Sequence, residues 1–194
     1  MQTTSDTPSN TFRVAFAFLL LCAGSISGFL SGCNRGAHPN EAVVVQPPFS
    51  LSIVPGRSGN ITMTKKKPNE FYVVLTNVSG LPQAVWESWN SWGYQAISFE
   101  LTTTDGKKFV VSKKDQDFTM NYPSKFLVEP GEHLVYAIGL DELWETNPTL
   151  PKSDEMPIAL KTIYEVTQTP EATQHKVWTG RVESHGYTFS LRQW

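Results

Sequence analysis

Read from residue 49 onward, the chain alternates apolar and polar positions with the two-residue period of half-buried strands. Phe49-Ser50-Leu51-Ser52-Ile53-Val54 alternates and stops at Pro55-Gly56, and Phe71 to Asn77 is a β-branched, aromatic run closed by Ser79-Gly80. Ala96 to Thr104 alternates again, and Asp105-Gly106 joins it to Lys108-Phe109-Val110-Val111-Ser112. Asp-Gly tolerates the positive φ angles that a two-residue turn requires, so this is the chain's strongest hairpin signal. Pro130-Gly131 precedes a strand over His133 to Leu140, and further strands are expected over 158–166, 177–183 and 187–191. No helical periodicity persists beyond two turns. Eight strands at this spacing predict an all-β fold, an Ig-like antiparallel β-sandwich, with a β-barrel as the alternative.

The N-terminus follows another pattern. Residues 1–13 are polar and end in Arg13, and from Val14 to Gly32 the chain has no charge. A positive flank before a short apolar run is the layout of a secretory signal peptide, and Gly24, Ser25, Ser27 and Gly28 dilute the run too much for a comfortable membrane span. Leu30-Ser31-Gly32-Cys33 then resembles the lipobox of bacterial lipoproteins. That resemblance implies cleavage between Gly32 and Cys33, diacylglycerol on the Cys33 thiol in an anchor of several acyl chains, palmitate among them, and a membrane partner reached through the lipid. Asn34 after the cysteine favours, by likeness to envelope sorting, the outer membrane. The expected organisation is a signal peptide over 1–32, a flexible tether over 33–48 containing the stiff Gln46-Pro47-Pro48 joint, and one β domain over 49–194.

This reading changes the cysteine count. The 194-residue chain has two cysteines, Cys22 and Cys33; one leaves with the signal peptide and the other is acylated, so the mature chain is expected to hold no thiol and no disulfide. Thiolate zinc sites and cysteine nucleophiles are thereby excluded. With 16 Lys+Arg against 18 Asp+Glu the net charge is −2, which argues against a nucleic-acid partner.

Candidate chemistry is sparse. Trp86, Trp89 and Trp92 recur every three residues ahead of Tyr94, between two strands. Exposed, these rings would stack on sugars or on the apolar surface of a protein partner. Folded back, they would cap one end of the sandwich. Lysine pairs and runs at 65–67, 107–108 and 113–114 read as solvated turns and edge-strand protection. The carboxylates Asp141, Glu142, Glu145, Asp154 and Glu155 around Trp144 read as an acidic, partly helical connection. His38, His133, His175 and His185 lack metal-ligand spacing, and no nucleophile elbow or phosphate loop occurs. No cofactor, metal site or catalytic set is implied. The expected role is non-enzymatic: a binding or structural module, with a carbohydrate-binding module on the Trp-rich loop as one alternative.

A further resemblance rests on turns. Leu75 to Ser79, Phe99 to Gly106, Phe118, Leu127 to Glu132, Val135 and Trp144 look like the small β-sandwich family of bacterial intracellular proteinase inhibitors. The likeness spans roughly 70 residues and implies an Ig-like topology, with proteinase inhibition as another alternative function. No inhibitory residue is carried over.

Overall fold

The computed structural model describes residues 46–64, 68–152 and 155–193. The expectations for 1–32, for Gly32 and Cys33, for most of the tether and for the lysines at 65–67 fall outside the described residues. Within them the chain is all-β, as its patterning predicts.

Twelve strands and one short helix follow in order: β1 (Phe49–Val54), β2 (Asn60–Met63), β3 (Glu70–Asn77), β4 (Gln83–Trp86), β5 (Ile97–Thr103), β6 (Lys108–Lys113), β7 (Lys125–Val128), β8 (His133–Gly139), β9 (Trp144–Asn147), β10 (Met156–Val166), α1 (Pro170–Gln174), β11 (Gly180–Glu183) and β12 (Tyr187–Gln193). The eight expected strands are present, the seventh shortened to β11. Four more, β2, β4, β7 and β9, are four residues each, too short to display a period. The acidic connection contains β9 rather than a helix, because Trp144 is drawn into the core and pairs with Lys113 across β6.

Three sheets form. One runs β1-β3-β8, a larger one runs β2-β12-β10-β5-β6-β9 with β11 also on β10, and β4 pairs with β7 as a two-stranded ribbon. The alternation in β1 does what it predicts: Phe49, Leu51 and Ile53 are buried while Ser50, Ser52 and Val54 face out. One of the packed sheets is a curled half-barrel, and the spine of the larger sheet is the eleven-residue β10, antiparallel to β5, β11 and β12. One pairing departs from this pattern: β2 joins β12 in parallel, with Asn60 opposite Ser190.

Between the sheets, Phe71 meets Phe99 edge-on at 5.4 Å, and Phe99 in turn meets Trp144 at 5.3 Å. Such ring pairs add to the burial of large apolar area that drives folding. The Asp105-Gly106 hairpin is real, but its loop holds three residues rather than two. Thr103 and Lys107 close it through Thr103 N–H to the Lys107 carbonyl, 2.9 Å, and among its residues Gly106 alone has positive φ, 82°. Helix α1 is capped by Thr169, whose Oγ1 accepts from the Ala172 N–H at 3.1 Å, with Pro170 in the first turn.

Candidate functional site

The Trp-rich segment after β4 is organised by Asn90, a fully buried polar residue. Its carbonyl accepts from the N–H groups of Gly93 and Tyr94 at 3.2 and 2.9 Å, and its Oδ1 accepts again from Gly93 at 2.9 Å. Its Nδ2 donates to the Ser124 carbonyl at 2.9 Å. The chain therefore turns sharply, and residues three apart point in different directions.

The three tryptophans consequently share no common face. Trp86 is 2% exposed and lies in the core, flanked by Trp92 at 5.7 Å and His175 at 5.5 Å. Trp92 packs partly buried against the core. Trp89 alone stands out, 42% exposed, edge-on to Tyr122 at 4.7 Å. Tyr94 is buried. A continuous three-ring platform is not what this geometry presents.

The loop does form one wall of something else. A cleft of about 620 Å³ lies between it and β8, with Trp86, Tyr94, Lys113, Tyr136, Trp144 and Tyr164 among its lining. That volume is in the range of small-molecule sites. The residues come from β4, β6, β8, β9, β10 and the loop, so only the folded chain brings them together. Strand β8 borders the cleft because, among the described residues, it is an edge strand, paired with β3 on one side and with no strand on the other.

Lys113 gives the cleft a cation. Its Nζ lies 4.3 Å from the Tyr94 ring centroid and 5.7 Å from that of Trp144, and no described carboxylate is within ion-pair distance. Burial lowers its pKa, and the negative field of Asp141 only partly offsets this. Asp141 is itself engaged, accepting from the Leu143 N–H at 2.9 Å. The expectation that Lys113 and Lys114 are solvated holds for Lys114, which is exposed, and fails for Lys113. Lys113 is drawn over two rings, while Lys114 donates to the Glu142 carbonyl at 2.7 Å.

Three buried tyrosine hydroxyls surround the cleft, on Tyr94, Tyr136 and Tyr164. Burial pushes the Tyr136 pKa up to about 12 and that of Tyr164 well above the ordinary phenol range. The Tyr136 and Tyr164 hydroxyls lie close enough to interact and to shift one another's ionisation. Burial, followed by the charge of Asp141, also raises Tyr94. At pH 7 all three are neutral and able both to donate and to accept.

Tyr136, Tyr164, Asp141 and Asn90 carry no signal in the sequence that marks them as a group. Among the described residues no group of three or more His, Cys, Asp or Glu side chains is placed to hold a metal ion, and no helix is long and apolar enough to cross a membrane. No known protein family, no curated protein and no solved structure matches the chain, so each residue's role rests on geometry.

Proposed function

We propose that the chain is a lipid-anchored binding module of a bacterial cell envelope: an Ig-like β-sandwich held to the membrane by acylated Cys33, taking a small ligand in the cleft between β8 and the Trp86–Tyr94 loop. The observation that carries the ligand site is the set of three buried tyrosine hydroxyls around one aromatic-walled cleft, with the Lys113 ammonium over two of its rings. Buried hydroxyls retain capacity for further hydrogen bonds, and three beside one opening suit a ligand that brings its own hydrogen-bonding groups. Aromatic walls and neutral hydroxyls are the inventory that recognises a saccharide, whose ring has apolar faces and a polar edge. The carbohydrate reading thus moves from the loop's outer surface to the cleft behind it.

Two measurements test the two halves. Changing Cys33 to Ser is expected to release the protein from the membrane fraction, and retention there overturns the anchor. Titrating the full chain with neutral and acidic oligosaccharides is expected to change its tryptophan fluorescence, because Trp86 and Trp144 line the site. Tyr136→Phe should then weaken binding roughly five- to tenfold, the worth of one hydrogen bond. Absence of any response across the panel overturns the saccharide site and leaves the anchor standing.

A further inference from the structure

Strand β8 offers the cleft a set of groups that a saccharide on the aromatic wall leaves idle. Its five consecutive residues from Val135 to Gly139 all line the opening. Neighbouring side chains on a strand point to opposite faces of the sheet, so no single face supplies all five. The backbone edge of β8 is what borders the cleft.

The register shows which groups lie along that edge. The Asn77 N–H donates to the Glu132 carbonyl at 3.0 Å, and this pair continues the β3–β8 ladder, in which Thr76 faces His133 and Phe71 faces Ile138. In an antiparallel ladder, residues that exchange hydrogen bonds alternate with residues that do not. Counting by twos from Glu132, Leu134, Tyr136 and Ile138 turn their N–H and C=O groups toward β3. Val135 and Ala137 turn theirs away from β3, along the open edge, where they have no partner among the described residues. The edge closes beyond them: the Gly139 carbonyl accepts from the Asp141 N–H at 2.9 Å, and the Leu140 carbonyl accepts from the Thr64 N–H at 3.2 Å.

Nothing in β8 blunts this edge. From Leu134 to Gly139 it has no charge and no proline, and its register with β3 runs without a bulge. Those are the devices that ordinarily stop an edge strand from accepting another chain. The Trp86–Tyr94 loop walls the other side of the cleft, which selects the shape of the occupant. A second folded copy would have to bring a whole sheet past that wall, whereas one extended chain needs only the spacing between paired strands, about 5 Å. Lys113 lines the same cleft and has no described carboxylate within ion-pair distance, so charge complementarity favours a segment that carries an acidic side chain.

We propose that the open edge of β8 takes an extended peptide segment bearing an acidic side chain, which pairs with the N–H and C=O groups of Val135 and Ala137 as an added strand. This goes beyond the saccharide site and does not depend on it. Both ligands enter one cleft, so each should displace the other.

The test uses the full chain and a capped probe, acetyl-Thr-Val-Glu-Val-Thr-amide, beside a counterpart methylated on the backbone nitrogen of all five residues. The two share every side chain and differ in their capacity to donate to a strand edge. Calorimetric titration is expected to show binding of the first and a loss of about tenfold or more for the second; equal affinities overturn strand addition. Amide hydrogen exchange read by NMR locates the pairing. Val135 and Ala137 should exchange fast in the free protein and slow on binding, while Leu134 and Tyr136, already bonded to β3, change little. Protection elsewhere, or none, overturns the site. Ala137→Pro removes one outward N–H at an edge position of the kind that accommodates proline and should weaken the probe by about fivefold or more with near-ultraviolet circular dichroism unchanged. Should that variant misfold, the methylated probe and the exchange pattern decide. Saccharide binding with no peptide binding overturns strand addition alone, peptide binding with no saccharide binding overturns the saccharide site alone, and silence from both removes both.

Discussion

The side-chain amide of Asn90 donates to the Ser124 carbonyl at 2.9 Å, spanning 34 positions of sequence to tie the Trp-rich loop to the segment entering β7. The same residue closes the loop from within through its own carbonyl and Oδ1. One buried side chain therefore positions both a wall of the cleft and the outward aromatic surface.

Asn90→Ala is expected to destabilise the domain by about 2–3 kcal/mol, since it leaves the Ser124 carbonyl and one Gly93 contact without the amide partner inside the protein. Urea unfolding measures the loss. A red shift of tryptophan emission in the folded baseline would show Trp86 and Trp92 gaining water; an unshifted, fully stable variant would contradict the role given to Asn90.

Gly93 admits no side chain. A Cβ there would stand 2.8 Å from the Glu87 carbonyl carbon and 3.0 Å from Trp86 Cβ, and the first of these is backbone that a rotamer change cannot move. Gly93→Ala should cost about 1–3 kcal/mol and alter the near-ultraviolet signal of the Trp86–Trp92 pair, with thermal unfolding as the check.

Asp105 supplies a pH prediction. The Thr103 hydroxyl and then Lys107 hold its carboxyl pKa down to about 2. A folded-state value below the ordinary one means that this group's contribution is present above the usual carboxyl range and disappears as pH falls toward 2. Asp105→Asn should therefore differ from wild type at pH 5, and the two should converge near pH 2 in a series of melting curves. The site is exposed, so the difference is small; an NMR titration of the carboxyl carbon, with its midpoint near 2, is the sharper measurement.

Lys113 has the opposite chemistry and the same sign of pH dependence. Burial lowers its pKa, so over the alkaline limb the folded chain binds fewer protons than the unfolded one, and wild-type stability gains relative to a variant without this group as pH rises. Lys113→Met keeps an apolar stem against Tyr94 and Trp144 without a buried charge. Its melting temperature relative to wild type should fall as pH rises through the alkaline range toward the ordinary lysine pKa. A flat difference would show that the ammonium is fully solvated.

The fold was legible where one strand face is wet and the other dry. Ser50 and Ser52 between Phe49, Leu51 and Ile53 mark β1 because its sheet packs on one side only. Gln83–Trp86 and Lys125–Val128 give no such signal: each is four residues long, and they become strands by pairing with each other. The cleft was hidden for a related reason. Tyr94, Tyr136 and Tyr164 stand 42 and 28 positions apart, so their convergence depends on β8 and β10 being brought beside one loop. Lys113, next to Lys114 in sequence, read as a solvated charge because sequence adjacency cannot reveal the rings of Tyr94 and Trp144 beside it. The repeating tryptophans were conspicuous, yet Asn90 among them decides where each ring goes.

The parallel pairing of β2 with β12 has a consequence in time. Asn60 meets Ser190 about 130 positions later, so β2 waits without its partner until nearly all of the described chain is available. Long-range pairing of this kind is slow, because the loop must close before any contact rewards it. The strand order itself thus keeps the large sheet without its β2 edge until β12, the last described strand, is in place.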